Sequence, residues 1–191
     1  MPLPTQTSIS RRDLLKLTGR TLLFAGVLSA PLVQLAQAAP CGERCLSFYN
    51  THTSETLKRV PYWADGQYQP DALQELNVLL RDHRNGKVTA MDRKLFDLLY
   101  VIQSNLGCHQ PFHIISGYRS PETNAFLRQH SSGVAKHSLH LIGKAVDIRL
   151  PHVDLTNLRA AALQAGRGGV GFYPGSQFVH VDTGRVRQWH G

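Results

Sequence analysis

Three stretches of the chain carry apolar residues at helical spacing. In 70–84 the stripe is Leu73, Leu76 and Leu80, with Pro70 at the start. In 92–106 it is Leu95, Leu99, Ile102 and Leu106, set between Asp92 as a cap and Gly107 as a stop. In 154–165 it is Leu155, Leu158, Ala162 and Ala165. Pro121 opens a further helix that runs to about His130. The rest of the regular pattern reads as strands. Residues 46–50 and 56–63 read as a hairpin around 51–55. Residues 112–116, 144–150, 170–173 and 178–182 read as short strands. Helices and strands intermix, which predicts an α+β domain with helices packed on a small antiparallel sheet.

The first 38 residues do not fit that domain. Ser10-Arg11-Arg12-Asp13-Leu14-Leu15-Lys16 is a twin-arginine export pattern. A weakly apolar run follows over 17–35, broken by Arg20 and Pro31, and Ala36-Gln37-Ala38 is a small-residue cleavage site. The expected organisation is therefore a signal peptide over 1–38 and one folded domain over 39–191. The twin-arginine translocase is the export partner and the periplasm the destination. An uncleaved leader would instead anchor the protein in the membrane.

Charge narrows the partners. The whole chain is +8, with 21 basic and 13 acidic residues. The leader holds four of the basic ones and one of the acidic, so the domain keeps 17 and 12 and a charge of +5. That suits an acidic substrate such as a carboxylate-rich peptide. No basic helix or aromatic-interleaved strand offers a nucleic-acid surface. Three cysteines, Cys41, Cys45 and Cys108, make an odd set. Oxidation is expected after export, and the spacing does not choose a pairing.

The candidate chemistry lies in Ser138-Leu139-His140-Leu141-Ile142-Gly143-Lys144-Ala145-Val146-Asp147 and in Phe178-Val179-His180-Val181-Asp182. His140 and Asp147 are seven residues apart, too far along one helix for side chains that meet at an ion. Gly143 permits a turn that brings them back together. Within 144–150, Asp147 then shares a strand face with Ala145 and Arg149, while Val146, Ile148 and Leu150 occupy the other. A carboxylate there needs a partner, and a metal ion is one. In the later strand His180 and Asp182 share a face, about 7 Å apart along the chain. Two imidazoles and a carboxylate, with one position left open, are the donor set of a catalytic zinc site. Ordinary hydrogen-bonded or surface histidines are the competing reading, since the chain has ten.

Ser138-x-His140-x-x-Gly143-x-Ala145-x-Asp147, the later His180 strand, and Ile115-Ser116-Gly117-Tyr118-Arg119-Ser120 together resemble the LAS-type zinc peptidases. These are bacterial D-Ala-D-Ala carboxypeptidases and murein endopeptidases that share a fold with the hedgehog signalling domain. The motif order, with Gly168-Gly169-Val170-Gly171-Phe172-Tyr173-Pro174 between the ligand segments, is most similar to the MepK (YcbK-like) murein endopeptidases. The likeness runs from about Leu46 to Trp189. It implies one zinc ion per chain on His140, Asp147 and His180, and cleavage of peptidoglycan cross-links, LD bonds between meso-diaminopimelate residues with DD bonds besides. It also implies Arg119 as a clamp on the oxyanion or a substrate carboxylate, with Tyr118 and Ser138 as substrate contacts. Better-known relatives carry a Glu, Asp or His base two or three residues before the last ligand. Here Gln177 and Phe178 stand there. Asp182 is then the best-placed carboxylate, either as the base or as a group that orients His180. His137 and His113 are outside candidates. A carboxypeptidase, or a zinc-containing wall-binding module without activity, are the competing functions.

Overall fold

The computed structural model describes residues 42–130 and 134–191. The leader reading over 1–38, its cleavage site, Cys41 and residues 131–133 lie outside the described residues. Eight strands and four helices are present among those described. The strands are β1 (Arg44–Asn50), β2 (Thr56–Ala64), β3 (Gln67–Tyr68), β4 (Phe112–Ser116), β5 (Ala145–Arg149), β6 (Gly169–Tyr173), β7 (Phe178–Asp182) and β8 (Arg187–His190). The helices are α1 (Pro70–Leu79), α2 (Arg93–Leu106), α3 (Pro121–His130) and α4 (Leu155–Gln164). None of these helices is long and apolar enough to cross a membrane.

The expected α+β architecture is there, but its sheet is larger than the sequence pattern suggested. All eight strands join in the order β3-β2-β1-β4-β5-β7-β6-β8. Two pairings, β1 with β4 and β6 with β8, are parallel. The stretch β4-β5-β7-β6 is antiparallel throughout and carries the candidate site.

Alternation decides which face is which. Val146 and Ile148 of β5 and Val179 and Val181 of β7 are fully buried, as are Phe48 and Phe112. Helices α1, α2 and α4 add Leu76, Leu95, Phe96, Leu99, Ile102 and Leu158 to the same core. At about 25 cal/mol per Å² of apolar surface, this layer is the main stabilising element. The opposite face of β5 and β7 holds Asp147, His180 and Asp182.

The helix caps follow the sequence closely. The Asp92 side chain accepts from the Lys94 N–H at 3.0 Å, and Gly107 ends α2 with a left-handed φ of 59°. Helix α1 differs, stopping at Leu79 where the apolar stripe suggested Arg84. The cause is a tertiary demand on the next turn. The Leu80 carbonyl accepts from Tyr118 N–H at 2.7 Å. The Asp82 carboxylate turns inward to accept from the Ser120 N–H at 2.9 Å and the Arg84 N–H at 3.0 Å.

Candidate metal centre

His140 sits on a single 3-10 turn, Leu139–Ile142. Ser138 caps it, its Oγ accepting from the His140 N–H at 3.4 Å. Gly143 closes it with φ 65°, and a Cβ there would lie 2.7 Å from the Ala90 carbonyl oxygen. Only glycine meets both conditions. The chain then enters β5, where Asp147 lies directly opposite His180 of β7. His140, Asp147 and His180 are 3%, 6% and 8% exposed.

The contacts of the two rings bear on which nitrogens are free for a cation. His140 Nδ1 donates to the Gly117 carbonyl at 2.7 Å, so Nε2 keeps its lone pair. His180 has a carboxylate at each nitrogen, Asp182 Oδ2 3.1 Å from Nε2 and Asp147 Oδ1 2.8 Å from Nδ1; donation from Nε2 to Asp182 would leave the Nδ1 lone pair for a cation. His140 Nε2 and His180 Nδ1 face each other at 3.2 Å. Asp147 Oδ1 stands 2.8 Å from His180 Nδ1 and 3.3 Å from His140 Nε2. Three electron-rich atoms thus converge on one point. Ligands at about 2.0–2.1 Å from a tetrahedral zinc ion are separated by about 3.3–3.4 Å. Two of the three edges match, and the third is shorter by about half an ångström. The donor set fits a borderline-soft divalent cation such as zinc. Without a cation, a proton takes its place. Burial pulls the His180 imidazole down, but the hydrogen bonds and charges of Asp147 and Asp182 outweigh it and lift its pKa to about 8. Burial pushes the Asp147 carboxyl up, yet the two imidazoles hold it well below the usual carboxylate range.

Asp182 is fully buried and its oxygens are occupied. Oδ1 accepts from the N–H groups of Gly169 at 2.9 Å and Gly184 at 2.8 Å. Arg187 of β8 binds both oxygens, at 3.1 and 2.6 Å. Asp182 does not line the cleft above the metal point.

β8 lies two strands from β7, and β6 between them is bare on this face at Gly169 and Gly171. Gly169 pairs with Arg187 and Gly171 with Trp189. A Cβ at Gly169 would lie 2.4 Å from the Arg187 guanidinium, and one at Gly171 would lie 2.6 Å from the Trp189 indole. The two alternate glycines therefore let β8 reach across β6. Arg187 arrives at Asp182, and Trp189 lies 5.1 Å from the His180 ring. The sequence pattern alone assigns Gly169 and Gly171 no packing role and leaves β8 unread. The available signal was the matched period of two, Gly169 and Gly171 against Arg187 and Trp189.

The cleft over this point encloses about 500 Å³. Arg119, His137 and Ser138 line it, together with Tyr173, Phe178 and Trp189. Arg119 is held by its backbone, whose N–H donates to the His140 carbonyl at 3.2 Å. Its side chain is 14% exposed, with Nη2 4.0 Å from Asp147 Oδ2. Its buried Nε has no partner among the described residues. Burial lowers the guanidinium pKa, opposed by Asp147. Tyr118 does not line the cleft but packs against the core. His113 is also outside it, its ring tilted against that of Tyr49 with centroids 4.8 Å apart. Cys45 and Cys108 are not bridged to each other.

Comparison with known proteins gives a consistent result. Residues 38–189 match the family described as peptidoglycan L,D-endopeptidase MepK. Peptidoglycan L,D-endopeptidase MepK of Escherichia coli (strain K12) is 44% identical over 181 residues, spanning 94% of this chain and 97% of that protein. The Shigella flexneri protein of the same name gives the same figures. The probable peptidoglycan L,D-endopeptidase MepK of Haemophilus influenzae is 42% identical over 183 residues, spanning 95% and 96%.

Proposed function

The chain belongs to the peptidoglycan L,D-endopeptidase MepK family, and we propose that it hydrolyses peptide cross-links of peptidoglycan at a zinc site held by His140, Asp147 and His180. The bond cut is the LD link between two meso-diaminopimelate residues. The observation that carries this reading is the convergence of three lone-pair-bearing atoms at the floor of a cleft beside a buried arginine with a spare donor. The metal, when bound, supplies Lewis acidity and lowers the pKa of water toward neutrality.

The chain's own residues do the rest. Gly117 and Asp182 fix the tautomers of His140 and His180, so both present unprotonated nitrogens. Arg119 holds the carbonyl oxygen or a stem-peptide carboxylate with its planar fork of donors. Ser138 places a hydroxyl at the cleft edge. In this reading Asp182 orients His180 and is not the base, because its oxygens are taken and turned away from the cleft. Tyr118 supports the Arg119 loop from the core side and does not touch substrate. Residues 1–38 serve as a leader read by the twin-arginine translocase, and 39–191 work in the periplasm.

The test is digestion of purified muropeptides by residues 39–191, with and without a chelator, read by mass spectrometry. Chelator-sensitive conversion of LD-linked dimers to monomers is expected. Unchanged dimers from zinc-loaded protein would overturn the proposal.

A further inference from the structure

Tyr173 stands in the cleft with half of its hydrogen-bonding capacity committed. The Trp189 indole N–H donates to its hydroxyl oxygen at 2.8 Å. Its ring is stacked on Phe178 at 4.5 Å and 20°, so it has little freedom to swing away. An indole N–H is a donor only, so Tyr173 is held as the acceptor and its own O–H is left to donate. That O–H has no acceptor among the described residues. The register explains how a residue on the edge strand comes to hold it. Gly171, two positions before Tyr173 on the same face, leaves open the space the Trp189 indole crosses. Gly171 is also paired with His180, so the hydroxyl is mounted on the strand beside a proposed ligand. Tyr173 is near enough to Arg119 to bear on its electrostatics, and both line the cleft.

We propose that the Tyr173 hydroxyl is a second donor to bound substrate, acting beside Arg119 on an oxygen of the scissile peptide, with Trp189 as the residue that positions it. This deepens the endopeptidase reading and rests on it. A phenol suits the task because it donates one directed hydrogen bond without adding charge to a cleft already lined by two guanidinium groups. No bond is made or broken at the hydroxyl.

The test compares wild type, Tyr173→Phe, Trp189→Phe and the double variant as zinc-loaded proteins on an LD-linked muropeptide dimer. Tyr173→Phe keeps the ring stacked on Phe178 and removes only the donor. Its kcat/KM should fall on the order of 10²-fold, the range seen when one oxyanion donor is lost. Trp189→Phe should fall less, and the double variant should be no worse than Tyr173→Phe, because both act through one hydroxyl. Independent, additive losses would overturn the positioning role of Trp189. Zinc affinity and thermal midpoint should stay at wild-type values in Tyr173→Phe, and a loss of either in step with activity would make Tyr173 structural. Affinity of the metal-free proteins for the same dimer separates this proposal from the activity itself. If wild type binds but does not cleave, the endopeptidase reading fails, while a several-fold weaker Tyr173→Phe complex still supports the hydroxyl contact. Equal rate and equal affinity in Tyr173→Phe would sink it.

Discussion

Two aspartates anchor polar clusters in this domain, Asp97 beside the β3-β2-β1 edge and Asp147 in the interior of the sheet, and they are built in opposite ways. Asp97 of α2 is surrounded by donors. It accepts from Arg44 at 2.8 Å, from the Tyr62 hydroxyl at 3.1 Å and from the Tyr68 hydroxyl at 2.6 Å. Arg44 in turn lies 5.0 Å from the Trp63 ring and 6.0 Å from that of Tyr100. Nothing further is needed to satisfy it. Asp147 faces two imidazole lone pairs, and its nearest guanidinium stands 4.0 Å off. Its surroundings are acceptors, with a missing positive charge at their centre. A half-buried carboxylate ringed by donors is scaffold, whereas one ringed by other acceptors is a site.

Substitutions at the two positions should separate along that line. Asp147→Asn should lose zinc and at least about 10³-fold in muropeptide cleavage, since one of three ligands goes. Metal content by mass spectrometry and a retained circular dichroism spectrum are the check. Asp97→Ala should do the reverse, costing about 2–3 kcal/mol in chemical denaturation while zinc stays at one per chain. The figure is below that for a fully buried pair because Arg44 is 41% exposed. Metal loss in Asp97→Ala, or full metal in Asp147→Asn, would erase the contrast.

Smaller effects sharpen it. Arg187→Met should weaken zinc binding about 10- to 100-fold in a chelator competition, the usual cost of losing an outer partner of a ligating histidine. Wild-type affinity there would mean that the Gly169 and Gly184 N–H groups hold Asp182 unaided. The pH dependence comes last. In the metal-free protein His180 has its pKa raised to about 8. A raised pKa contributes stability that is fully present below the unfolded value near 6.5 and lost as pH rises through 8. Denaturation of metal-free protein should thus show about 2 kcal/mol of loss from pH 6 to 9 from this group. Asp147→Asn should flatten most of that loss. Zinc affinity should rise about tenfold per pH unit up to 8 and then level, because binding releases the His180 proton.

Much of this was legible in the sequence, and the parts that were not share a cause. The Asp92 and Gly107 caps, the Gly143 turn and the shared faces of β5 and β7 are local consequences of residue type and period. So His140, Asp147 and His180 were found as a set. Helix α1 ends before its apolar stripe does because Leu80 and Asp82 answer to Tyr118 and Ser120, about 38 residues away. The resemblance offers Tyr118 as a substrate contact, while the fold turns it onto the core. β8 escaped notice because four residues with half-exposed side chains make a weak pattern. Its role appears only when it lies parallel to β6 over two glycines. Asp182 was readable as a neighbour of His180, but its choice between base and support depends on Arg187, which nothing local announces.

The glycine-bare face of β6 has a consequence for how the molecule opens. β8 is the outermost strand of its edge, and edge strands are the first to detach in local unfolding. In most sheets such fraying leaves the interior untouched. Here the outermost strand supplies the guanidinium on Asp182 and the indole beside His180, so detachment of four residues at the rim loosens the centre. Rim opening and site disassembly are one equilibrium, and whatever occupies the site closes the edge.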